Sequence, residues 1–306
     1  MSLTWRRALS MALRELVPFK ATARRLKRRL LPYSDNPANS HWCITQGLEM
    51  IAALREAGFD PRGARLLEFG TGWLPLIPLL FHLAGVREMV LTDVERLMDT
   101  ETIALAKRRV LERGDEVARA LGIEKDELAG RLTRFQFEYR VPWLPETTSA
   151  ELVDLVLSRA VFEHVPIDEL RTFLAAFFRI LRPGGFACHL IDNSDHWQHG
   201  VPAASRVGFL AFEEHSWLWR LAQLNRQAWQ NRLRHSDYRS LFRATGFDVV
   251  LERGEPDARA LADLATLPLA SRFACYTPED LAVLTSVFVM RKPQKAINVF
   301  AGAGTA

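Results

Sequence analysis

The sequence of 306 residues is poor in cysteine and has no long apolar run, and both absences restrict where the protein can work. Its three cysteines, Cys43, Cys188 and Cys275, form no CxxC pair. No uninterrupted apolar stretch reaches the roughly 18 to 20 residues that a membrane helix needs. Because the sequence also lacks an N-glycosylation sequon and a signal peptide, we expect a reduced, cytoplasmic setting.

Several catalytic motifs are absent as well. The sequence contains no GxxxxGK[ST] phosphate loop, no HExxH pair and no GxSxG nucleophile elbow. These absences leave ATPase, zinc-protease and serine-hydrolase interpretations without support. The length and the average composition are those of one large globular core with additions.

Positive charge is concentrated at the start of the sequence. Residues 1–34 contain nine Lys or Arg residues and one acid, Glu15, although the whole chain has a net charge of only +4. Leucine, alanine and Trp5 alternate with these basic residues, which predicts a basic amphipathic helical arm. Such an arm either packs on the main domain or contacts, through residues 1–30, an anionic membrane surface or another anionic partner. It carries no nucleic-acid recognition fold, so we expect no nucleic-acid partner.

Apolar runs alternate with helix-periodic segments along the rest of the chain, which predicts an α/β fold. Seven strand patterns are centred near residues 66, 89, 136, 153, 187, 248 and 287, and the first five alternate with helices. This order is typical of a parallel sheet with helices on both faces. Further expectations are a turn-rich linker over residues 32–40, a strand over Phe135–Tyr139 and a helix over Asp257–Phe273.

Residues 193–234 interrupt this alternation and predict a helical insertion after the fifth strand. The insertion contains four of the eight tryptophans, Trp197, Trp217, Trp219 and Trp229. Such an aromatic segment indicates either a lid over a substrate or an oligomer contact, such as that of a homodimer. Its arginines suit an anionic acceptor or, equally, a solvated helix face; they are Arg206, Arg220, Arg226, Arg232 and Arg234. Residues 293–306 read as a flexible tail.

A glycine turn follows the first predicted strand, Leu66–Phe69. Glu68 lies near the end of that strand, and Gly70 and Gly72 come directly after it. Glycine permits positive φ and lets a ligand lie against the main chain. The next strand ends at Asp93, about twenty residues further on, where Rossmann-like folds place an acid on ribose hydroxyls. The pattern indicates a nucleotide-type site without saying which nucleotide it binds.

Four segments together match the pattern of a known family. They are Leu67–Gly72 (LEFGTG), Leu91–Asp93 (LTD), Val153–His164 (VDLVLSRAVFEH) and Leu181–Phe186 (LRPGGF). From about residue 40 to about residue 292 the chain resembles the class I S-adenosylmethionine-dependent methyltransferases, in particular the type-11-like bacterial branch that acts on small molecules and glycans. One departure is that Trp73 and the two residues after it stand where the family has its third glycine.

The resemblance implies a methyltransferase domain over residues 35–292, with a seven-stranded Rossmann-like sheet whose last strand inserts antiparallel beside the sixth. It also implies S-adenosylmethionine as the cofactor. The residues expected to bind it are Glu68, Gly70, Thr71 and Gly72 at the methionine part, Asp93 at the ribose, Ser158 and Arg159 near the sulfonium or the adenine, and Gln46 on the leading helix.

Methyl transfer to oxygen requires alignment of two reactants and removal of a proton. His164 is the first candidate base, because it follows the fourth strand and its ordinary pKa is near neutral; its neighbour Glu163 is an alternative. A second polar cluster, from His189 to His196, follows the fifth strand. Strand alternation places His189 and Asp192 on opposite faces, so we expect Asp192 and His196 to bind the acceptor. No recognised ligand spacing is present, and no metal is predicted.

The sequence therefore predicts an S-adenosylmethionine-dependent methyltransferase with a His/Asp general base. The expected acceptor is a small molecule or a sugar-containing metabolite, methylated on oxygen or, as the second choice, on nitrogen. Two alternatives stay open. One is an NAD(P)-dependent Rossmann oxidoreductase, which shares the glycine turn and the second-strand acid. The other is a catalytically silent protein of the methyltransferase fold that serves binding or assembly.

Overall fold

The computed structural model describes residues 9, 33, 35–144, 153–198, 203–224 and 229–294. Most of the predicted arm (residues 1–34) and of the predicted tail (residues 293–306) therefore lies outside the described residues. No helix in the described part is both long and apolar enough to cross a membrane.

The described residues form one seven-stranded sheet with helices along its length. The strands are β1 Arg65–Phe69, β2 Glu88–Thr92, β3 Glu138–Arg140, β4 Val153–Arg159, β5 Leu181–Asp192, β6 Asp248–Arg253 and β7 Thr285–Arg291. The helices are α1 Pro37–Glu56, α2 Leu76–Leu83, α3 Thr100–Glu112, α4 Gly114–Leu121, α5 Glu127–Thr133, α6 Ile167–Ile180, α7 Trp217–Gln223, α8 His235–Thr245, α9 Ala258–Leu264 and α10 Pro278–Ala282. Short 3-10 turns span Phe162–His164, His196–Gln198, Gly208–Ala211 and Ser271–Phe273.

The strand order is β3-β2-β1-β4-β5-β7-β6. The neighbours from β3 to β5 run parallel, whereas β7 lies antiparallel between β5 and β6. The predicted fold class, including the antiparallel last strand, is confirmed. Because β1, β2, β4 and β5 are parallel, their carboxyl ends meet at one edge of the sheet, where ligands of open α/β folds bind.

Strand alternation divides the core into one apolar cluster on each face of the sheet. Leu155 and Leu157 of β4 belong to the cluster that includes α1 and α2, whereas Val156 belongs to the cluster that includes α6 and α8. A third cluster joins the insertion to α9 and α10, and buries Trp197 and Trp219. The described part of the insertion therefore shares an apolar core with α9 and α10.

Three boundaries differ from the sequence prediction. The first helix begins inside the expected linker, because the Asn36 side chain accepts a hydrogen bond from the Ala38 N–H and Pro37 takes the first helical position. Strand β3 is shorter than expected, because Phe135 turns into the core, where it packs on Phe137 at 5.1 Å between ring centroids. The expected helix over Asp257–Phe273 ends at Leu264, a few residues before Pro268, which disfavours the helical conformation of the residue preceding it.

Candidate functional site

A cavity of about 410 Å³ lies at the carboxyl edge of the sheet, where β1 and β4 end. Its walls come from residue 33 and residues 35–43, from the glycine turn and the start of α2, and from the end of β4. Five of the predicted cofactor residues line this cavity: Glu68, Gly70, Thr71, Gly72 and Arg159. Their positions fit the predicted cofactor site, and their binding roles stay predictions.

Two glycines shape the floor of the cavity. Gly70 has φ +80° and Gly72 has φ +73°, a backbone region that other residues adopt only with strain. A Cβ atom on Gly70 would lie 2.6 Å from Cγ2 of Val161, whereas a Cβ atom on Gly72 would meet no described atom within 4 Å. The N–H groups of Gly70 and Thr71 both donate to the Thr92 carbonyl at 3.0 Å. The turn is thereby fixed to β2, and its second glycine is left open to a ligand.

Glu68 is a buried acid with incomplete hydrogen bonding. Its Oε2 atom has no hydrogen-bond partner among the described residues. Burial raises the pKa of Glu68 to about 8, and the Asp93 carboxylate adds to this rise while the Arg159 guanidinium opposes it. An unpaired buried carboxyl is costly, so a cationic ligand group beside Glu68 would be stabilised there.

Asp93 follows β2 and holds the glycine turn. Its Oδ2 accepts the Gly72 N–H at 2.8 Å and its Oδ1 accepts the Val94 N–H at 2.7 Å. Burial raises the pKa of Asp93, and these backbone hydrogen bonds oppose the rise. Each carboxylate oxygen can accept a second hydrogen bond. Asp93 therefore keeps capacity for ribose hydroxyls, and that role stays a prediction.

Gln46 reaches the cavity through Arg159 rather than directly. The Arg159 Nε–H donates to Oε1 of Gln46 at 2.7 Å, and the guanidinium carbon lies 5.1 Å from the centre of the Trp42 ring. Gln46 is buried on α1, so it fixes the direction of the arginine that lines the cavity. Gln46 therefore orients Arg159, and its own contact with the cofactor stays a prediction.

Ser158 lies on the opposite face of the sheet from the cavity lining. Its hydroxyl is 2.8 Å from Nδ1 of His189, and both side chains are buried. The His189 ring packs 4.2 Å from the Phe162 ring, centroid to centroid, and burial lowers the pKa of His189 to about 3. Strand alternation directs the Ser158 side chain into the core, and its predicted place near the cofactor stays a prediction.

The four predicted catalytic residues come from two segments that the fold brings together. Glu163 and His164 lie in the 3-10 turn after β4, whereas Asp192 ends β5 and His196 begins the next 3-10 turn. One potential ligand atom from each of Glu163, His164 and His196 lies within 4.8 Å of the other two. Oδ2 of Asp192 is 3.2 Å from Nε2 of His196. We call these four residues the polar cluster; it begins three residues beyond Ala160, which lines the cavity.

The polar cluster contains two buried carboxyls in different states. Neither oxygen of Glu163 has a hydrogen-bond partner among the described residues, and burial, together with the nearby Asp192, raises the pKa of Glu163 well above its ordinary value. Burial would also raise the pKa of Asp192, but contacts from His196 and Ser194 outweigh it and lower the value to about 2. Asp192 is therefore ionised at neutral pH, and Glu163 is the more weakly acidic of the two carboxyls.

The His164 ring has a defined tautomer. Its Nδ1 atom lies 2.7 Å from the carbonyl oxygen of Trp229. Because a carbonyl can only accept, Nδ1 carries the proton of the neutral ring and Nε2 is the atom that can accept one. Nε2 lies 4.0 Å from Oε1 of Glu163.

The end of the insertion supports the polar cluster through hydrogen bonds that the sequence did not predict. Besides the Trp229 carbonyl, Gln230 accepts the His196 N–H at 3.1 Å and donates to the Ser194 carbonyl at 2.8 Å. The Asn231 N–H donates to the Glu163 carbonyl at 2.9 Å. Two of these contacts involve backbone atoms of residues 229–231, so no side-chain motif could have revealed them.

Two of the insertion arginines are structural. Arg234 is fully buried and donates to the carbonyls of Asn193, Leu281 and Val283 at 2.9 to 3.0 Å. Arg232 donates to the Phe209 carbonyl at 2.9 Å and to Glu214 at 2.7 Å. The expectation that these two residues meet an anionic acceptor is wrong, because both side chains are buried and their Nη donors are used inside the fold.

The cavity also fits the cofactor that the resemblance implies. The unpaired Oε2 of Glu68 suits the amino group of S-adenosylmethionine, and the open space at Gly72 lets a ligand approach the main chain. Trp73, which replaces the third glycine of the family, stacks on Tyr33 at 5.4 Å between ring centroids, and both line the cavity. This aromatic pair forms a wall of the cavity.

Comparison with known proteins gives one family match. The model of the family described as "Methyltransferase domain" matches residues 46–252. No curated protein sequence matches the chain. A solved S-adenosylmethionine-dependent methyltransferase from Mesorhizobium loti is 13% identical with a TM-score of 0.44, and the match covers 78% of this chain and 96% of that chain. Phosphoethanolamine N-methyltransferase 2 from Haemonchus contortus, solved with S-adenosyl-L-methionine, is 16% identical with a TM-score of 0.44, over 80% of this chain and 52% of that chain.

The family match covers more than half of the sequence, from α1 into β6. It therefore decides against the oxidoreductase alternative that the glycine turn had left open. The chain belongs to the methyltransferase domain family and is a class I enzyme that uses S-adenosylmethionine.

Proposed function

We propose that this methyltransferase transfers its methyl group to a hydroxyl oxygen of a small-molecule or sugar-containing acceptor. The observation that carries the proposal is the convergence of Glu163, His164, Asp192 and His196 beside the cavity. Transfer to a hydroxyl needs a proton acceptor, because a neutral hydroxyl is a weak nucleophile. A neutral amine can attack the methyl group without first losing a proton. A partly buried cluster with two imidazoles therefore favours oxygen, and nitrogen is the second choice.

In this proposal the cofactor supplies a methyl group that is already activated by its positive sulfur. The contribution of the chain is alignment, exclusion of water and removal of the proton. Nε2 of His164 receives the proton of the acceptor hydroxyl, because the Trp229 carbonyl holds the ring with Nε2 as its basic atom. Asp192 and His196 bind the acceptor hydroxyl from the other side, and the Asp192 carboxylate favours the positive charge that develops on His164.

Residues 229–231 make the insertion part of this acceptor site. Their hydrogen bonds reach both the turn that holds Glu163 and the turn that holds His196. We therefore propose that the insertion covers the acceptor, as expected for a lid. A cytoplasmic setting, a homodimer and an anionic contact of residues 1–30 stay predictions from the sequence.

The test is methyl transfer from labelled S-adenosylmethionine to panels of hydroxyl and amine acceptors, with S-adenosylhomocysteine binding measured in parallel. We expect His164→Gln to lower turnover on a hydroxyl acceptor by about 10² to 10⁴-fold while product affinity stays within about twofold. The matched control is His41→Gln, since His41 is an imidazole beside Glu112 at the protein surface, outside the polar cluster. Methylation restricted to amines, or full turnover in His164→Gln, would refute the proposal.

A further inference from the structure

We infer that Glu163, His164 and His196 form a binding site for one divalent first-row transition-metal ion. The inference rests on the proposed function for the catalytic role of the ion, although ion binding can be tested without any acceptor. The sequence shows no ligand spacing, because the ligands come from turns after two different strands and meet only in the fold.

The geometry meets the first requirement of such a site. One nitrogen or oxygen from each of Glu163, His164 and His196 lies within 4.8 Å of the other two. Ligands bound to one ion at about 2.0 to 2.2 Å lie about 3.3 to 4.4 Å from one another, so a small movement of these side chains closes the site around an ion. The His164 and His196 rings are 4.9 Å apart between centroids and inclined by 55°, so the two rings are neighbours that do not stack face to face.

Glu163 gives an independent indication of a missing ligand. Its side chain is only 3% exposed, and neither carboxyl oxygen has a hydrogen-bond partner among the described residues. Buried polar groups in folded proteins are nearly always paired, and each exception calls for an explanation such as an ion. A cation between Glu163 and the two rings would pair this carboxyl and also reduce its repulsion with Asp192.

The surroundings of the cluster resemble the outer shell of a metal site. Histidines that bind a metal usually donate their other ring N–H to a carbonyl or a carboxylate, which fixes the ring. His164 has that arrangement, since its Nδ1 faces the Trp229 carbonyl at 2.7 Å. Asp192 approaches the His196 ring and is itself held by the Ser194 hydroxyl at 2.6 Å.

The ligand set selects the kind of ion. Two imidazoles and one carboxylate suit Zn²⁺, Co²⁺, Fe²⁺ or Mn²⁺, whereas Mg²⁺ and Ca²⁺ prefer oxygen ligands alone. Three protein ligands leave coordination positions open, as catalytic sites require. The hydroxyl of the acceptor is the ligand that we assign to one of these positions.

An ion at this site refines the role of His164. With the ion bound, His164 is a ligand, and the ion lowers the pKa of the coordinated hydroxyl so that its proton passes to solvent water. The oxygen then forms its bond to the methyl carbon as the bond from that carbon to sulfur breaks, and sulfur keeps the electron pair. The charge of the ion thus replaces the direct proton transfer to the imidazole.

The experiment is a titration of the chelator-stripped full chain with Co²⁺, followed by visible absorption, and with Zn²⁺ by calorimetry. We expect one ion per chain, and an affinity at least about tenfold weaker in Glu163→Gln and His196→Gln. His41→Gln is the matched control, because Nε2 of His41 lies 3.3 Å from Glu112 at the surface. S-adenosylhomocysteine binding verifies that each variant is folded. If Glu163→Gln does not fold, His164→Gln gives the same readout at a side chain that is 30% exposed.

The outcomes separate this inference from the proposed function. Ion binding that is absent, or that Glu163→Gln and His196→Gln do not weaken, overturns the site. Loss of binding in His41→Gln also overturns it. Full hydroxyl methylation after chelation rejects the catalytic role of the ion and leaves His164 as the direct base. One bound ion without transfer to any hydroxyl supports the site and counts against the proposed function.

Discussion

The Arg159 Nε–H, at the end of β4, donates to Oε1 of Gln46 on α1 at 2.7 Å. This hydrogen bond joins residues 113 positions apart and holds the arginine over the cavity. The Trp42 ring packs 5.1 Å from the same guanidinium, centre to carbon, and restricts it further. The leading helix therefore shapes the cofactor site through a side chain of β4.

Replacing Gln46 by leucine should weaken cofactor binding. The substitution removes the acceptor that orients Arg159, and a hydrogen bond to a charged group contributes about 1.5 to 3 kcal/mol. Because Arg159 is partly exposed, we expect a loss nearer the lower end, about tenfold in S-adenosylhomocysteine affinity by calorimetry. Gln46→Glu is the matched control, since it keeps an acceptor for Arg159. Equal affinity in Gln46→Leu and the parent would contradict this positioning role.

The two glycines of the turn should respond differently to alanine. Both have positive φ, which costs an alanine about 1 to 2 kcal/mol, but only at Gly70 does the added Cβ collide with Val161. We expect Gly70→Ala to lower the free energy of unfolding by about 2 to 4 kcal/mol, because strain and overpacking add. Gly72→Ala should cost only the strain, about 1 to 2 kcal/mol. Urea denaturation of both variants measures the difference, and equal losses would refute the contact argument.

Sequence patterns predicted the parts of this site that depend on short stretches of chain. The glycine turn, Glu68 and Asp93 follow from strand ends and from the conformational freedom of glycine. Glu163 and His196 could each be placed after a strand of the sheet, although their convergence appears only in the fold. These features need only the alternation of the chain and the strand order.

The remaining features depend on contacts that no local pattern contains. Ser158 is the exception, because strand alternation alone places its side chain on the opposite face of the sheet from that of Arg159. The orientation of His164 depends on the backbone carbonyl of Trp229, which every residue type would offer. Arg234 looks like a surface cation in the sequence, yet its three carbonyl partners lie in segments 41 to 49 residues away.

Cofactor binding should release a proton from Glu68. Burial raises the pKa of Glu68 to about 8 in the free protein, so the carboxyl is mostly protonated at pH 7, whereas the ammonium group of the ligand favours the ionised form. Affinity for S-adenosylhomocysteine should therefore rise with pH towards 8, by up to about tenfold per pH unit, and level off above it. Calorimetry in two buffers of different ionisation enthalpy counts the proton directly.

The same raised pKa fixes the sign of the effect on stability. The folded free protein holds a proton on Glu68 that the unfolded chain has already lost. The contribution of this proton to the free energy of unfolding is therefore full below the ordinary pKa and is lost as pH rises through about 8.

The matched variant for the binding experiment is Glu68→Gln, which should bind the ligand more weakly and release no proton. Proton release that persists in Glu68→Gln would assign the titration to another group.

The buried pair of Ser158 and His189 should affect stability and leave cofactor binding unchanged. Ser158→Ala leaves Nδ1 of His189 without its hydroxyl partner inside an aromatic core, which should cost about 1 to 3 kcal/mol of unfolding free energy. The double variant Ser158→Ala/His189→Phe replaces both partners by apolar groups and should recover most of that loss.

Because burial lowers the pKa of His189 to about 3, the folded protein resists a proton that the unfolded chain binds. Stability should therefore fall as pH drops from about 6.5 towards 3, and this dependence should be smaller in the double variant. Urea denaturation across this pH range measures both effects on stability. A tenfold loss of S-adenosylhomocysteine affinity in Ser158→Ala would contradict the prediction and would indicate that Ser158 contributes to cofactor binding.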